Sequence, residues 1–452
     1  MPEPTAAPER VDLLVRGGTV VTVDADDTVI DADVAVRDGV IVAVGPRLDV
    51  QAAHTIDAGD AAVIPGLVNA HMHETLDRSV FEDLPFLEWL ESYALPKDCA
   101  YQPHHIRAAA LLNQAEMIAG GTTTFIDIFR HPHEAALVAE MSGLRAIFSP
   151  QVIDDPVGPG ETLEGNVAFI EAWKDRIPER ISTWFGPHSL YTCHPETYRE
   201  MRRLADRYDV GIHTHLAESA AETAMIAERA GGRTPVQLLD DLVGLGPGVV
   251  AAHCVELSDD DLALLARSRV GIAHCPTSNA KLGNGRARIT ELLAAGAVVG
   301  LGTDSNMTNN DLDLFEEMRI AALVQKQLTG DPSVLPSRQV LRLATKGSAD
   351  VLGLGERVGS IEVGKAADLA VVNLRLPHTR PLVRYGRGNV VDAIVWSCSA
   401  RDVRHTVVAG EVLMEDRRLL TLDVEDIVEL ADREILDLLR AAGVLDKRFG
   451  PA

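Results

Sequence analysis

Apolar and polar positions follow two different rhythms along this 452-residue chain. Over the first 60 residues, short Val-rich runs at 11–16, 19–23, 32–36 and 40–44 alternate with Gly and Asp turns, the pattern of a small antiparallel β unit. From Ala62 onward, apolar runs of strand length are separated by long amphipathic stretches. One of these, 106–119, closes on Gly120 and Gly121, and another, 195–208, opens on Pro195. This alternation predicts βα units around a parallel sheet. Eight runs qualify as its strands: 62–69, 122–128, 145–152, 181–187, 210–216, 249–254, 270–274 and 298–304. Eight is the number that closes a (β/α)8 TIM barrel. A further helical segment, 339–352, leads into GSIEVGKAADLAVVN at 359–373, after which β runs return at 393–396 and 405–408. The expected organisation is therefore α/β, a barrel over 62–365 flanked by a β unit split between 1–61 and 366–422. Residues 423–452 add a C-terminal helix.

Composition excludes several classes. With 46% apolar and 24% charged residues, the chain can bury a large core and is not disordered. A net charge of −25 repels phosphate backbones and anionic head groups, so neither nucleic acid nor a membrane surface is an expected partner. No apolar run approaches the roughly 18 residues of a membrane span, and the acidic N-terminus lacks the form of a signal peptide; a cytoplasmic location is expected. Five scattered cysteines without any CxxC read as reduced thiols rather than a disulfide framework.

The histidines carry the chemistry. Seven of the 15 fall at predicted strand ends: His71, His73, His188, His213, His215, His253 and His274. In an α/β barrel the C-terminal strand ends share one mouth, where catalytic groups collect. His71 and His73, two apart on an extended segment, point to the same side, as two ligands of one ion must. His213 and His215 repeat this spacing, although only one of them need reach the ion. His131 and His133 lie past the end of the second strand and read as an exposed loop. Asp304 ends the eighth strand and would meet the imidazoles from the opposite wall. Three His and one Asp suit Zn²⁺ or Fe²⁺ with a position left for water. Glu218 and His253 would lie close by, as an acid and a base or, equally, as a first-turn helix acid and a core histidine.

These residues stand in longer motifs: PGLVNAHMH at 65–73, HTHLAE at 213–218, AHC at 252–254, HCPTSN at 274–279, GTD at 302–304 and GSIEVGKAAD at 359–368. Together they resemble the amidohydrolase superfamily, and within it the branch that deaminates nucleosides, nucleobases and s-triazines. The resemblance implies a metal-dependent barrel with a β-sandwich built from both termini. It implies one divalent metal, Zn²⁺ or Fe²⁺, held by His71, His73, His215 and Asp304, with Glu218 as proton shuttle and His253 and Asp304 taking the proton of the attacking water. His188, in GPHSLY at 186–191, matches a substrate-contacting His, and Glu218 also contacts substrate. Two-metal members carry a Lys at the end of strand four; the run 181–188 has none. Asp98 stands where nucleoside-processing members have a Glu poised for ribose hydroxyls. The arginines that meet the carboxylate of S-adenosylhomocysteine after strand three are absent from 149–162. The expected activity is hydrolytic deamination of an amino-substituted N-heterocycle, a purine nucleoside or nucleobase. The alternatives are s-triazine amino- or chlorohydrolysis, cyclic-amide opening, or a non-catalytic binding homologue. The partners would be a small heterocyclic substrate and further copies of the chain.

Overall fold

The computed structural model describes residues 9–84, 90–154 and 161–450. The N-terminal strands are β1 (Arg10–Val21), β2 (Val29–Arg37), β3 (Val40–Gly45), β4 (Gln51–Asp57) and β5 (Ala61–Pro65). Their β-branched residues suit a pleated, half-buried surface. The barrel follows with β6 (Leu67–His73), β7 (Thr122–Asp127), β8 (Arg145–Phe148), β9 (Gln151–Val152), β10 (Ile181–Thr183), β11 (Gly186–Pro187) and β12 (Ile212–Leu216). It is completed by β13 (Val249–His253), β14 (Gly271–His274), β15 (Val298–Leu301) and β16 (Asp304–Ser305). All pair in parallel: one run is β10-β8-β7-β6-β16, another β12-β13-β14-β15. A bridge between Phe185 and Ile212 joins the two runs on one side, and on the other β15 continues through Gly302 and Thr303 into β16, which pairs with β6. Each of the eight expected barrel strands has its counterpart, and four are broken in two: 145–152, 181–187 and 298–304 within the barrel, and 62–69 between two sheets. The barrel strands are buried almost throughout, as a sheet covered on both faces requires, although β7 fills three of its buried positions with Thr122, Thr123 and Thr124.

The expected strand 62–69 is two strands in two sheets. β5 lies between β1 and β17 (Leu369–Asn373) in a sheet that continues through β18 (Val403–Val408), β19 (Glu411–Glu415) and β20 (Arg418–Leu419). Among the described residues this sheet has nine strands, so both ends of the chain build one body. The chain leaves it at Gly66, where a Cβ would lie 2.1 Å from Thr123 Oγ1. Only a residue without a side chain passes so close to β7.

Two further differences have local causes. Gln51–Asp57 is a strand the hydrophobic pattern did not reveal, because most of its positions are partly or fully exposed and it pairs only with β1. Conversely, the expected β run at 393–396 lies within a helix, Val390–Ser397, whose Val390, Val391, Ile394 and Val395 pack into the core. Apolar positions spaced i, i+1, i+4, i+5 fit one helical face as well as they fit a short strand. The C-terminal helix runs Val424–Ala441, capped by Asp423. Among the described residues no helix is long and apolar enough to cross a membrane.

Candidate active site

β6 delivers two imidazoles to the mouth, and their hydrogen bonds decide which nitrogen each presents. His73 Nδ1 donates to the Ile128 carbonyl at 2.7 Å, and His215 Nδ1 donates to the His188 carbonyl at 2.7 Å. His71 Nδ1 faces His213 Nε2 at 2.8 Å, and His213 Nδ1 lies 3.0 Å from Ser149 Oγ, whose own proton goes to the Asp127 carbonyl. That chain makes His213 Nδ1 and His71 Nδ1 the protonated atoms. The layer beneath therefore fixes tautomer and ring orientation together. All three Nε2 atoms are left with a lone pair, and they converge: His73 and His215 Nε2 are 3.2 Å apart, and His71 Nε2 is buried without a hydrogen-bond partner.

Asp304 faces this cluster, its Oδ1 3.2 Å from His73 Nε2 and 3.6 Å from His71 Nε2. Ser278 Oγ donates to Oδ2 at 2.5 Å and the Ser305 N–H to Oδ1 at 2.7 Å, which holds the carboxylate in place. Burial pulls the His71 imidazole down to about 3 and holds His215 well below the ordinary histidine value, so both stay neutral and able to ligate. Lone pairs pointed at one another across 3.2 Å repel unless a cation lies between them. His71, His73 and Asp304, and likewise His71, His215 and His253, bring ligand atoms close enough together to hold one ion, and such imidazole and carboxylate donors suit Zn²⁺ or Fe²⁺.

Two strand ends adopt left-handed backbone to reach this arrangement, with φ of 72° at His253 and 61° at Asp304. Such conformations cost free energy at non-glycine residues and concentrate at functional sites. His253 Nδ1 donates to Asn279 Oδ1 at 2.9 Å, leaving Nε2 to face Glu218 Oε2 at 3.9 Å. Burial works against the imidazolium here, but the charges of Glu218 and Asp304 outweigh it and raise the His253 pKa above the usual value. A basic imidazole is thus set beside the cluster.

Glu218 is held at both ends. Its backbone N–H donates to a Glu222 carboxylate oxygen at 2.7 Å, while Asn284 Nδ2 donates to its Oε1 at 2.8 Å. Burial, reinforced by the Glu218 charge, pushes Glu222 up to about 7. Glu218, Glu222 and Asn284 line a cavity of about 360 Å³, together with His73, His188, His215, His253, Asp304 and Asp98. His188 Nδ1 lies 2.9 Å from Thr192 Oγ1, and burial takes it down to about 3.

The structure therefore brings together every residue the sequence singled out for the site: His71, His73, His188, His215, Glu218, His253 and Asp304. His213 lies one layer deeper. His274 is buried near His253 with neither ring nitrogen hydrogen-bonded, and burial lowers it to about 3. His131 and His133 stand away from the cluster: His131, half-buried, precedes the helix Pro132–Ser142 and contacts the Tyr101 carbonyl, and His133, exposed as expected but in the first turn of that helix rather than a loop, accepts from Trp173 Nε1 through Nδ1. The acids that follow His73 turn inward, Glu74 toward Asn113 and Gln114 and Asp77 toward Lys97.

A second layer supports Asp304 from below. Asn309 Nδ2 donates both to the Thr303 carbonyl and to Glu317 Oε1, and burial pushes the Glu317 carboxyl up to about 8 from 4.5. Below pH 4.5 the folded and unfolded carboxyls both hold the proton. Between 4.5 and about 8 only the unfolded one ionises, so stability falls as pH rises through that window. Glu317→Gln keeps the acceptor and cannot ionise. Its melting temperature is expected to gain on the wild type between about pH 5 and pH 8, the window in which the buried carboxyl holds its proton. A constant difference across that range would show that Glu317 does not titrate this way.

Residues 62–413 match the Amidohydrolase family. A 5-methylthioadenosine/S-adenosylhomocysteine deaminase from Pelotomaculum thermopropionicum is 41% identical over 95% of this chain and 99% of its own length. A 5′-deoxyadenosine deaminase from Methanosarcina acetivorans is 38% identical over 95% and 99%. Among solved structures, an adenosine deaminase from Xanthomonas campestris with bound zinc superposes with a TM-score of 0.91 at 34% identity, covering 96% of this chain and all of its own. A zinc-containing atrazine chlorohydrolase from Arthrobacter aurescens gives 0.85 at 27%, over 94% and 100%. With its barrel, its converging histidines and a match over most of its length, the chain belongs to the amidohydrolase family.

Proposed function

We propose that the protein is a hydrolytic deaminase of adenosine-type nucleosides, using one divalent ion, zinc in preference to iron, held by His71, His73, His215 and Asp304. The observation that carries this reading is the convergence of three Nε2 lone pairs and a carboxylate beside the His253 and Glu218 pair. When bound, the ion polarises water, lowering its pKa from about 15.7 toward 7.

The chain's own groups move the protons. His253 Nε2, with Asp304 beside it, takes the proton of the attacking water. The Glu218 carboxyl delivers a proton to the ring nitrogen next to the attacked carbon, so charge does not build on the ring as the tetrahedral centre forms. Asp304 then takes the hydroxyl proton of the tetrahedral centre and passes it to the departing amine, which leaves as ammonia, and the proton held by His253 returns to Glu218, 3.9 Å away. Asn284 and Glu222 keep Glu218 aimed at the ring, and Asn279 keeps the basic nitrogen of His253 turned toward the cluster. His188 would contact the substrate, and Asp98, on the same cavity wall as Leu95, would accept from the sugar hydroxyls. The similarity to nucleoside deaminases, at 41% and 38% identity over nearly whole chains, favours this ring system over s-triazines.

Ammonia release from metal-replete protein tests the proposal. The panel comprises adenosine, 5′-deoxyadenosine, 5′-methylthioadenosine, S-adenosylhomocysteine, guanine, melamine and hydroxyatrazine. At least one adenosine-type nucleoside is expected to give kcat/KM above about 10⁴ M⁻¹s⁻¹, the range of real enzyme–substrate pairs. Turnover confined to the triazines, or to none of these, would overturn the nucleoside reading.

A further inference from the structure

One wall of the cavity is built from a segment whose polar core the deamination chemistry does not use. Lys97 is completely buried, on the short helix Leu95–Ala100 that follows a π-turn. Its Nζ lies 2.7 Å from Asp77 Oδ2 and 2.9 Å from Asp98 Oδ1, with Met307 Sδ at 3.7 Å. The Tyr101 ring packs beside it, with the ammonium 5.4 Å from the ring centroid, and the Tyr101 hydroxyl donates to Asp77 Oδ1. Burial works against the ammonium, but Asp77 and Asp98 outweigh it and raise the Lys97 pKa, so the charge stays.

Burying a lysine is expensive unless it is paired. Asp77 alone would pair it, yet Lys97 also reaches Asp98, the one member of the trio with exposure to spare. Asp98 Oδ1 is inaccessible and held by the ammonium as an ion pair at 2.9 Å without hydrogen-bond geometry, whereas the side chain as a whole remains 23% exposed and lines the cavity. A carboxylate pinned through one oxygen has a fixed direction for the other. An ionised carboxylate oxygen aimed into a cavity is a strong acceptor for hydroxyl groups, and a vicinal diol can use it fully.

We infer that Lys97 is a positioning residue: with Asp77 as its anchor, it clamps Asp98 Oδ1 so that Oδ2 is presented to the 2′- and 3′-hydroxyls of the substrate's sugar. This inference rests on the nucleoside reading above. An aspartate reaches less far than a glutamate, and the clamp supplies in direction what the shorter side chain lacks in length. The ammonium also offsets the repulsion between the Asp98 carboxylate on the cavity wall and the Asp77 carboxylate buried behind it.

Adenosine and 2′,3′-dideoxyadenosine, assayed side by side, isolate the effect, because they share the ring that reacts. The wild type is expected to favour adenosine in kcat/KM by about tenfold or more, the scale of a charge-assisted hydrogen bond. In Lys97→Met that ratio is expected to fall toward one through a higher KM for adenosine, with the kinetics of the dideoxy compound unchanged. Lys97→Met strands the buried Asp77, so Asp77→Asn combined with Lys97→Met is the partner variant, neutral inside and expected to show the same collapse. A preserved ratio in the double variant, equal losses on both substrates, or a wild type that does not discriminate would each overturn the inference. A wild type inactive on both nucleosides would instead refute the nucleoside reading itself.

Discussion

Glu218→Gln is expected to lower kcat by about 10²- to 10⁴-fold, the usual contribution of a positioned proton donor, while leaving one metal ion per chain. The substitution is nearly isosteric, and the contacts that orient the side chain survive it. Asn284 Nδ2 still finds an acceptor in the amide oxygen, and the backbone N–H of residue 218 still reaches Glu222. Among the charged groups of the site, Glu218 faces His253, at 3.9 Å, rather than the cluster of His71, His73, His215 and Asp304. The variant therefore removes a proton and little else. Ammonia release and elemental analysis on the same sample decide the matter. Activity within about tenfold of the wild type would exclude Glu218 as the donor, and loss of metal would place it among the ligands.

Removing the ion is expected to have the largest effect of all. Chelation should abolish ammonia release, with recovery when Zn²⁺ or Fe²⁺ is returned. The melting temperature should fall as well. A ligand that binds only the folded state at about 100 times its Kd adds about 2.7 kcal/mol, and chelation withdraws that stabilisation. The apo cluster is also left with His73 and His215 Nε2 facing each other across 3.2 Å. Stoichiometry by elemental analysis, activity and thermal melts can be followed through one titration. Full turnover by protein shown to be metal-free would refute the assignment of the cluster as the catalytic metal site.

The positions of the barrel strands were legible because buried parallel strands are written as continuous apolar runs, and the long helices between them begin and end on Pro and Gly. The histidines were legible for a different reason. An imidazole at a strand end has few structural uses, so a group of them at successive strand ends points to one mouth. What escaped notice was written in commoner letters. Ser149, Asn279 and Asn284 set the protonation and aim of His71, His253 and Glu218, yet Ser and Asn occur in every turn and carry no periodic signal. The Lys97 clamp was hidden differently: a Lys beside an Asp on a polar stretch looks solvated, and only the packing around Tyr101 and Met307 reveals it as interior. The split of 62–69 was hidden because Gly66 interrupts an apolar run without changing its character.

That glycine has a consequence for how the molecule can be handled. The strand carrying His71 and His73 is the direct continuation of β5, with one residue between the two sheets. The joint is also riveted from the side: the Gly66 N–H donates to the Asp368 carbonyl, and the Asp368 carboxylate, which accepts from the Ala409 N–H, grips Arg145 of β8 through two hydrogen bonds. The terminal sheet is therefore no detachable appendage. Trimming either end of the chain to obtain a bare barrel would pull on the strand that carries His71 and His73, and a tag or fusion is better borne at the far ends than near this seam.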